Sequence, residues 1–149
     1  MFASIARAVS LALTAVISGI YVRDVISYPG VRRLDGPHYA RYHQELDREF
    51  ARVMPLVGRA SLAASVATVA VPQEPRRRAL AALALGCNVA AVAVTVTHEV
   101  PLNRQVQSWS AEAPPDDWTD LRDRWFAGHR LRTALGLAGL GCLIAATIR

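Results

Sequence analysis

Apolar residues in this chain gather in four long runs, and the charged residues crowd into the segments between them. A helix needs about 20 mostly apolar residues to cross a bilayer. The first run, Phe2 to Val22, holds Arg7 as its only charge. The second, Val53 to Val71, contains Arg59, and the third, Ala79 to Thr97, has 19 residues without a charge. The fourth has 16 uncharged residues, Thr133 to Ile148, so Arg132 and Arg149 are expected to snorkel from its ends. The pattern predicts an all-α protein: an integral membrane four-helix bundle in one domain, residues 1–149, with spans at about 2–22, 53–71, 79–97 and 129–148. Reading the first run as a signal peptide is the alternative, but no small-x-small cleavage site follows Gly19.

Small residues recur every four positions on the spans: Ala60, Ala64 and Thr68; Ala82, Gly86 and Ala90; Ala134, Ala138, Cys142 and Ala146. Such stripes predict close helix packing, or pairing of two copies into a homo-oligomer. Asn88, in mid-span, reads as an interhelical hydrogen-bonding residue.

The segments between spans are partly helical too. Tyr28-Pro29-Gly30 and Asp35-Gly36-Pro37 read as turns. From His38 the spacing of Tyr39, Tyr42, Leu46 and Phe50 predicts an amphipathic helix leading into span two, with Pro55 marking a kink or restart. Pro114-Pro115-Asp116-Asp117 offers an N-cap for a helix carrying Trp118, Leu121, Trp125 and His129 on one face into span four. Trp109 fits an interfacial aromatic belt, whereas Trp118 and Trp125 can roof a pocket.

Composition sharpens this. The chain is 52% hydrophobic and 19% charged, against roughly 45–50% and 25% for soluble domains. All 17 basic residues are arginine, and the net charge of +5 sits at the ends of apolar runs rather than along one face. That excludes a disordered chain and gives no support to nucleic-acid binding; membrane lipids are the expected surroundings. Cys87 and Cys142 lie inside apolar runs and predict neither a disulfide framework nor a zinc site. The cluster Arg76-Arg77-Arg78 places its loop and both termini in the cytoplasm, as for a bacterial cytoplasmic-membrane protein. Against this, the segment Arg23 to Arg52 holds six arginines and would lie outside, though it also holds five acids, so the inverted orientation stays open.

Candidate chemistry concentrates at one end. Topology puts His38, His43, His98 and His129 on the same side of the membrane, near Arg59, Arg130 and Arg132. Ionisable groups at membrane depth are costly and tend to face the bundle interior. A cavity lined by imidazoles, arginines, Asn103 and tryptophan is therefore expected there. His43 shares a helical row with Tyr39 and Asp47, which suits a general base or a solvated face. His38 caps or solvates a turn, and His98-Glu99 ahead of Pro101 reads as a pair closing a helix. Metal-ligand spacing is lacking: His38 and His43 stand about 140° apart on a helix, so an iron or copper site would have to assemble His43, His98, Glu99 and His129 from separate segments. No phosphate loop, nucleophile elbow or dinucleotide fingerprint is present.

The stretch Val100-Pro101-Leu102-Asn103-Arg104, then Trp109, Asp117-Trp118, Leu121-Arg122, Arg124-Trp125, His129 and Leu131-Arg132-Thr133 resembles the anthrone-oxygenase-like family of small four-span membrane proteins. His43-Gln44-Glu45-Leu46 through Met54-Pro55 resembles it as well, while His98-Glu99 is not part of the likeness. The resemblance implies an oxidoreductase acting on a small aromatic, anthrone- or hydroquinone-like substrate with O2 and no cofactor. On that reading His129 or His43 is the base, Asn103, Arg130 and Arg59 stabilise the oxyanion, and Trp118, Trp125 and His98 hold the substrate. A metal-dependent oxidase and a non-catalytic membrane binding protein are the competing expectations.

Overall fold

The apolar runs form the spans, but each helix extends beyond its run. A computed structural model describes residues 2–148: α1 (Phe2–Val31), α2 (Gly36–Ala70), α3 (Pro75–Val94), a π-helical turn (Thr95–Glu99), α4 (Val100–Gln107) and α5 (Trp118–Thr147). Four helical rods, with α3, the π turn and α4 forming one of them, are long and apolar enough to cross a membrane. The protein is an all-helical integral membrane bundle. Around it, α1 packs on α2 and α5, and α3 packs chiefly on α5 and more lightly on α2.

Three expected breaks are absent. Helix α1 continues through Tyr28-Pro29-Gly30 to Val31, because its last turn is anchored sideways: the Tyr28 ring stacks on Phe126, and its hydroxyl donates to Asp123 at 2.6 Å. Helix α2 runs through Pro55 without interruption. The rod after α3 does not close at His98-Glu99. Instead the Val100 N–H reaches back to the Thr95 carbonyl, one residue further than in an α-helix. Proline clashes with the carbonyl four residues earlier, and the wider turn lets the chain pass Pro101 and stay helical.

Asp35-Gly36-Pro37 is the start of α2 rather than a separate turn. Asp35 is the N-cap, accepting from the His38 N–H at 3.0 Å and from the exposed His38 ring at 2.6 Å. Those two bonds, the backbone one foremost, hold the Asp35 carboxyl below its ordinary range. A depressed folded pKa contributes stability that is present above the unfolded value, about 3.9, and lost as pH falls through the folded value. The first turn of α2 is therefore expected to fray on strong acidification, seen as faster amide exchange at His38. Asp35→Asn should keep the cap and remove that pH dependence; unchanged dependence in the variant would rule out Asp35 as its source. The expected cap at Asp116-Asp117 differs: Asp117 precedes α5 but makes no side-chain cap bond.

Helix packing uses small residues, but of the four-residue stripes only Thr68 and Ala146 are buried, and most other packing positions lie off them. Ala60, Ala82, Gly86, Ala134 and Ala138 are exposed. The buried positions are Ser61, Ser65 and Thr68 on α2, Ala81, Ala84 and Ala91 on α3, and Gly136, Gly139 and Ala146 on α5. Four residues turn a helix by about 400°, so a strict stripe drifts off any straight contact face, and alanine surrounds these helices on all sides. Only on α1 does the four-residue repeat face inward, as Ala6, Ser10, Thr14 and Ser18. Asn88 bonds between helices as expected, donating to Ser65 Oγ at 2.9 Å; Ser65 Oγ lies 3.3 Å from Ser10 Oγ.

Candidate functional site

The end of the bundle carrying the four histidines encloses a cavity of about 480 Å³ that reaches from Tyr39 and Trp125 down to Ser61 and Asn88. Every rod contributes to its wall. The long α2 and α5 helices matter here, since their first turns stand beyond the apolar runs and carry aromatic and polar side chains over the cavity.

Asn103, on α4, organises the polar wall. Its Nδ2 donates to Asp47 Oδ1 at 2.6 Å, and its Oδ1 accepts from Trp125 Nε1–H at 2.8 Å. The indole nitrogen is only ever a donor, which fixes the amide orientation. The same Oδ1 lies 3.1 Å from His43 Nε2, so that nitrogen must carry a proton. The lone pair of His43 then resides on Nδ1, 3.3 Å from the hydroxyl of buried Tyr39. In the neutral ring, therefore, the Asn103 bond selects the Nε2–H tautomer. Asp47 does not touch His43 directly; it orients Asn103, which orients His43, and Gln107 Nε2 holds its second oxygen at 3.0 Å.

Behind Trp125 lies a second cluster. His129 is fully buried, stacks on Trp125 at 4.9 Å, donates from Nε2 to the Tyr21 carbonyl at 3.0 Å, and accepts at Nδ1 from Arg132 at 2.8 Å. Arg132 does not snorkel outward. It turns inward over the Tyr21 ring, reaches Thr95 Oγ1 at 3.2 Å and pairs with buried Glu99 at 3.1 Å. A carboxylate buried at the π turn supplies the reason: left without a cation it would be far costlier than a solvated arginine.

The predicted site residues therefore separate. His43, Asn103, Trp125 and Arg59 line the cavity. His129 supports the wall from behind and is not among the residues that line the cavity. His98 bonds the Arg124 carbonyl at 2.9 Å and faces α5. Trp118 forms an outer layer, stacked on Tyr39 at 5.2 Å and covered by Arg122. Arg130 is exposed, and His38 is occupied by the α2 cap. The donors His98, Glu99 and His129 point to different partners, and among the described residues no three His, Cys, Asp or Glu groups converge as metal ligands would. Sequence reading missed the framing roles of Tyr39 and Gln107. The row Tyr39-His43-Asp47 signalled that face, but nothing in it pointed to Asn103 as the link.

Gly128 is where α5 meets the π turn. A Cβ there would lie 2.2 Å from His98 Cδ2 and 3.2 Å from Glu99 Oε1. Gly128→Ala should destabilise the protein by about 1–3 kcal/mol through overpacking, read as a lower melting temperature in detergent. Adding His98→Ala should recover most of that loss; a fully additive double variant would show that the clash is not the cause.

A four-helix membrane protein whose helix extensions cover an aromatic-walled cavity is the class these features define. The sequence pattern of the anthrone oxygenase family matches residues 46–142, well over half the chain, and the protein belongs to that family. No curated protein and no solved structure matches it.

Proposed function

We propose that the protein is a membrane oxygenase that converts a planar anthrone- or hydroquinone-like compound to its quinone with O2, using His43 as the base. The cavity carries this reading: about 480 Å³ falls within the range that small-molecule pockets occupy, and His43, the one histidine on its wall among the described residues, has its Nε2 proton directed by Asn103. Family membership supports the same class of chemistry.

In this scheme the Tyr39 hydroxyl, which lines the cavity and hydrogen-bonds His43 Nδ1, takes the substrate proton as it passes its own to that nitrogen. The electron-rich anion reacts with O2, and loss of water from the resulting hydroperoxide leaves the new carbonyl. For an anthrone the balance is one substrate plus one O2 giving one anthraquinone plus one water; a hydroquinone already carries both oxygens, so one O2 takes its two electrons and two protons and leaves as hydrogen peroxide. Among the described residues Arg59 lines the wall without an ion pair, whereas Arg122 and Arg132 are paired, and Arg59 stabilises the developing oxyanion. Asn103 holds His43 through its carbonyl oxygen, and the amide proton not given to Asp47 is available to a substrate oxygen. Trp125 offers a planar face for the ring system. A metal oxidase on His43, His98, Glu99 and His129 is the weaker reading, because three of those donors are turned to other partners. Stoichiometric iron or copper in purified protein, lost in a His98→Ala, His129→Ala double variant, would establish it. The termini and the Arg76–Arg78 loop are assigned to the cytoplasmic side of a bacterial membrane by the arginine excess; the outward-facing Ala82, Gly86, Ala134 and Ala138 leave small-residue faces for a second copy.

Oxygen uptake by the reconstituted protein with 1,8-dihydroxyanthrone tests the reaction. One O2 consumed per anthraquinone formed, without released peroxide and well above heat-inactivated protein, is expected. Rates equal to the inactivated control with anthrones and hydroquinones alike would overturn it.

A further inference from the structure

The cavity is capped at the histidine end. Tyr39, Leu102 and Val106 are each no more than 2% exposed there. Gln44 ties the cap shut by donating to the Val106 and Trp109 carbonyls at 2.8 and 3.1 Å, and Arg41 pairs with Glu112 across it at 3.1 Å.

Between α2 and the α3–α4 rod the wall is different. The two rods are joined at the top by Asp47, Asn103 and Gln107 and lower down by Ser65 with Asn88. From residue 47 to residue 65 the α2 axis rises about 27 Å, and among the described residues no hydrogen bond or ion pair joins the rods between those two ties. Cavity-lining residues in this interval are also exposed on the outer surface: Pro55 and Arg59 on α2, and Val92 (37% exposed) and Val96 (60%) on α3 and the π turn. Gly58 lines the same stretch, and a Cβ there would meet nothing within 4 Å. A wall whose residues face the cavity and the outside together is a slot. It lies alongside the uncharged run of α3, at the level of lipid acyl chains.

We infer that the cavity is loaded sideways from the membrane through the slot between α2 and α3, and that its substrate is a bilayer-dissolved planar phenol. The substrate assignment rests on the oxygenase reading above. Arg59 is the charged group at the slot's rim. Its long side chain reaches along apolar surface while the guanidinium stays polar, so it is placed to meet a phenolic oxygen as the ring enters. A water-borne substrate would instead have to break the Gln44 and Arg41 ties.

The test uses a Trp109→Phe, Trp118→Phe background, leaving Trp125 on the cavity wall as the reporter, in phosphatidylcholine vesicles. Lipid brominated on its acyl chains should quench Trp125 with no ligand present, because chains enter the slot; absence of quenching would show it shut. Next, Cys87→Ser and Cys142→Ser are added, and Pro55→Cys with Val96→Cys are bridged by a bis-methanethiosulfonate. Association of 1,8-dihydroxyanthrone, followed by Trp125 quenching under nitrogen, should slow roughly tenfold and recover when the bridge is reduced. Bridging Arg41→Cys to Glu112→Cys across the cap should leave it unchanged. A cap bridge that slows association while the slot bridge does not would overturn lateral entry, and no quenching by the anthrone in unbridged protein would overturn the substrate class. Because turnover is not measured, binding through the slot without oxygen uptake would refute the oxygenase reading alone.

Discussion

Replacing His43 by alanine is expected to lower oxygen uptake by about 10²–10⁴-fold while 1,8-dihydroxyanthrone still quenches Trp125. His43 is the histidine whose ring reaches the cavity, and the Asn103 carbonyl oxygen commits its Nε2 to donation. The remaining lone pair on Nδ1 is the only basic atom of that ring, so its removal takes away proton acceptance without emptying the aromatic wall. The contrast is His129→Ala. That ring is packed between Trp125 and Phe126 and bonded to Tyr21 and Arg132, so its loss should lower the melting temperature yet leave the folded fraction active. Asn103→Ala belongs with His43: it frees the imidazole to take the other tautomer and should shift the pH profile of turnover. Full activity of His43→Ala together with an inactive but folded His129→Ala would transfer the base to His129.

Arg132→Met should cost about 3–5 kcal/mol of stability, the usual effect of breaking a buried pair by removing one partner. Glu99 would remain at 1% exposure with no cation, and His129 Nδ1 would lose its donor. The Glu99→Gln, Arg132→Met double variant removes both charges and should be markedly more stable than Arg132→Met alone. Thermal unfolding in one detergent at one pH checks both. Additive losses would mean that the two side chains do not depend on one another, contrary to their 3.1 Å contact.

Four spans and the gathering of histidines at one end follow from run lengths and topology, because a helix must bury about 20 apolar residues to cross a membrane whatever its neighbours are. The asparagine in mid-span was equally readable, since an amide in hydrocarbon must find a partner. Helix ends were less so. Tyr28-Pro29-Gly30 and His98-Glu99-Val-Pro look like stops from local propensity alone. They continue because Phe126 and Asp123 anchor one and a π turn accommodates the other.

Which face of each helix turns inward was beyond local pattern: alanine lies all round these helices, and lipid is as apolar as the core, so no amphipathic contrast marks the buried side. The same holds for the site. Composition and order along the chain determined that this is a four-span bundle with imidazoles and arginines collected at one end. Only the tertiary structure decided that His43 meets the cavity while His129 stands behind Trp125, that Arg132 turns inward to Glu99, and that Asn103 joins Asp47 to His43. Those outcomes depend on helix rotation and on contacts such as Asn103 to His43, 60 residues apart, and no spacing within one segment records them.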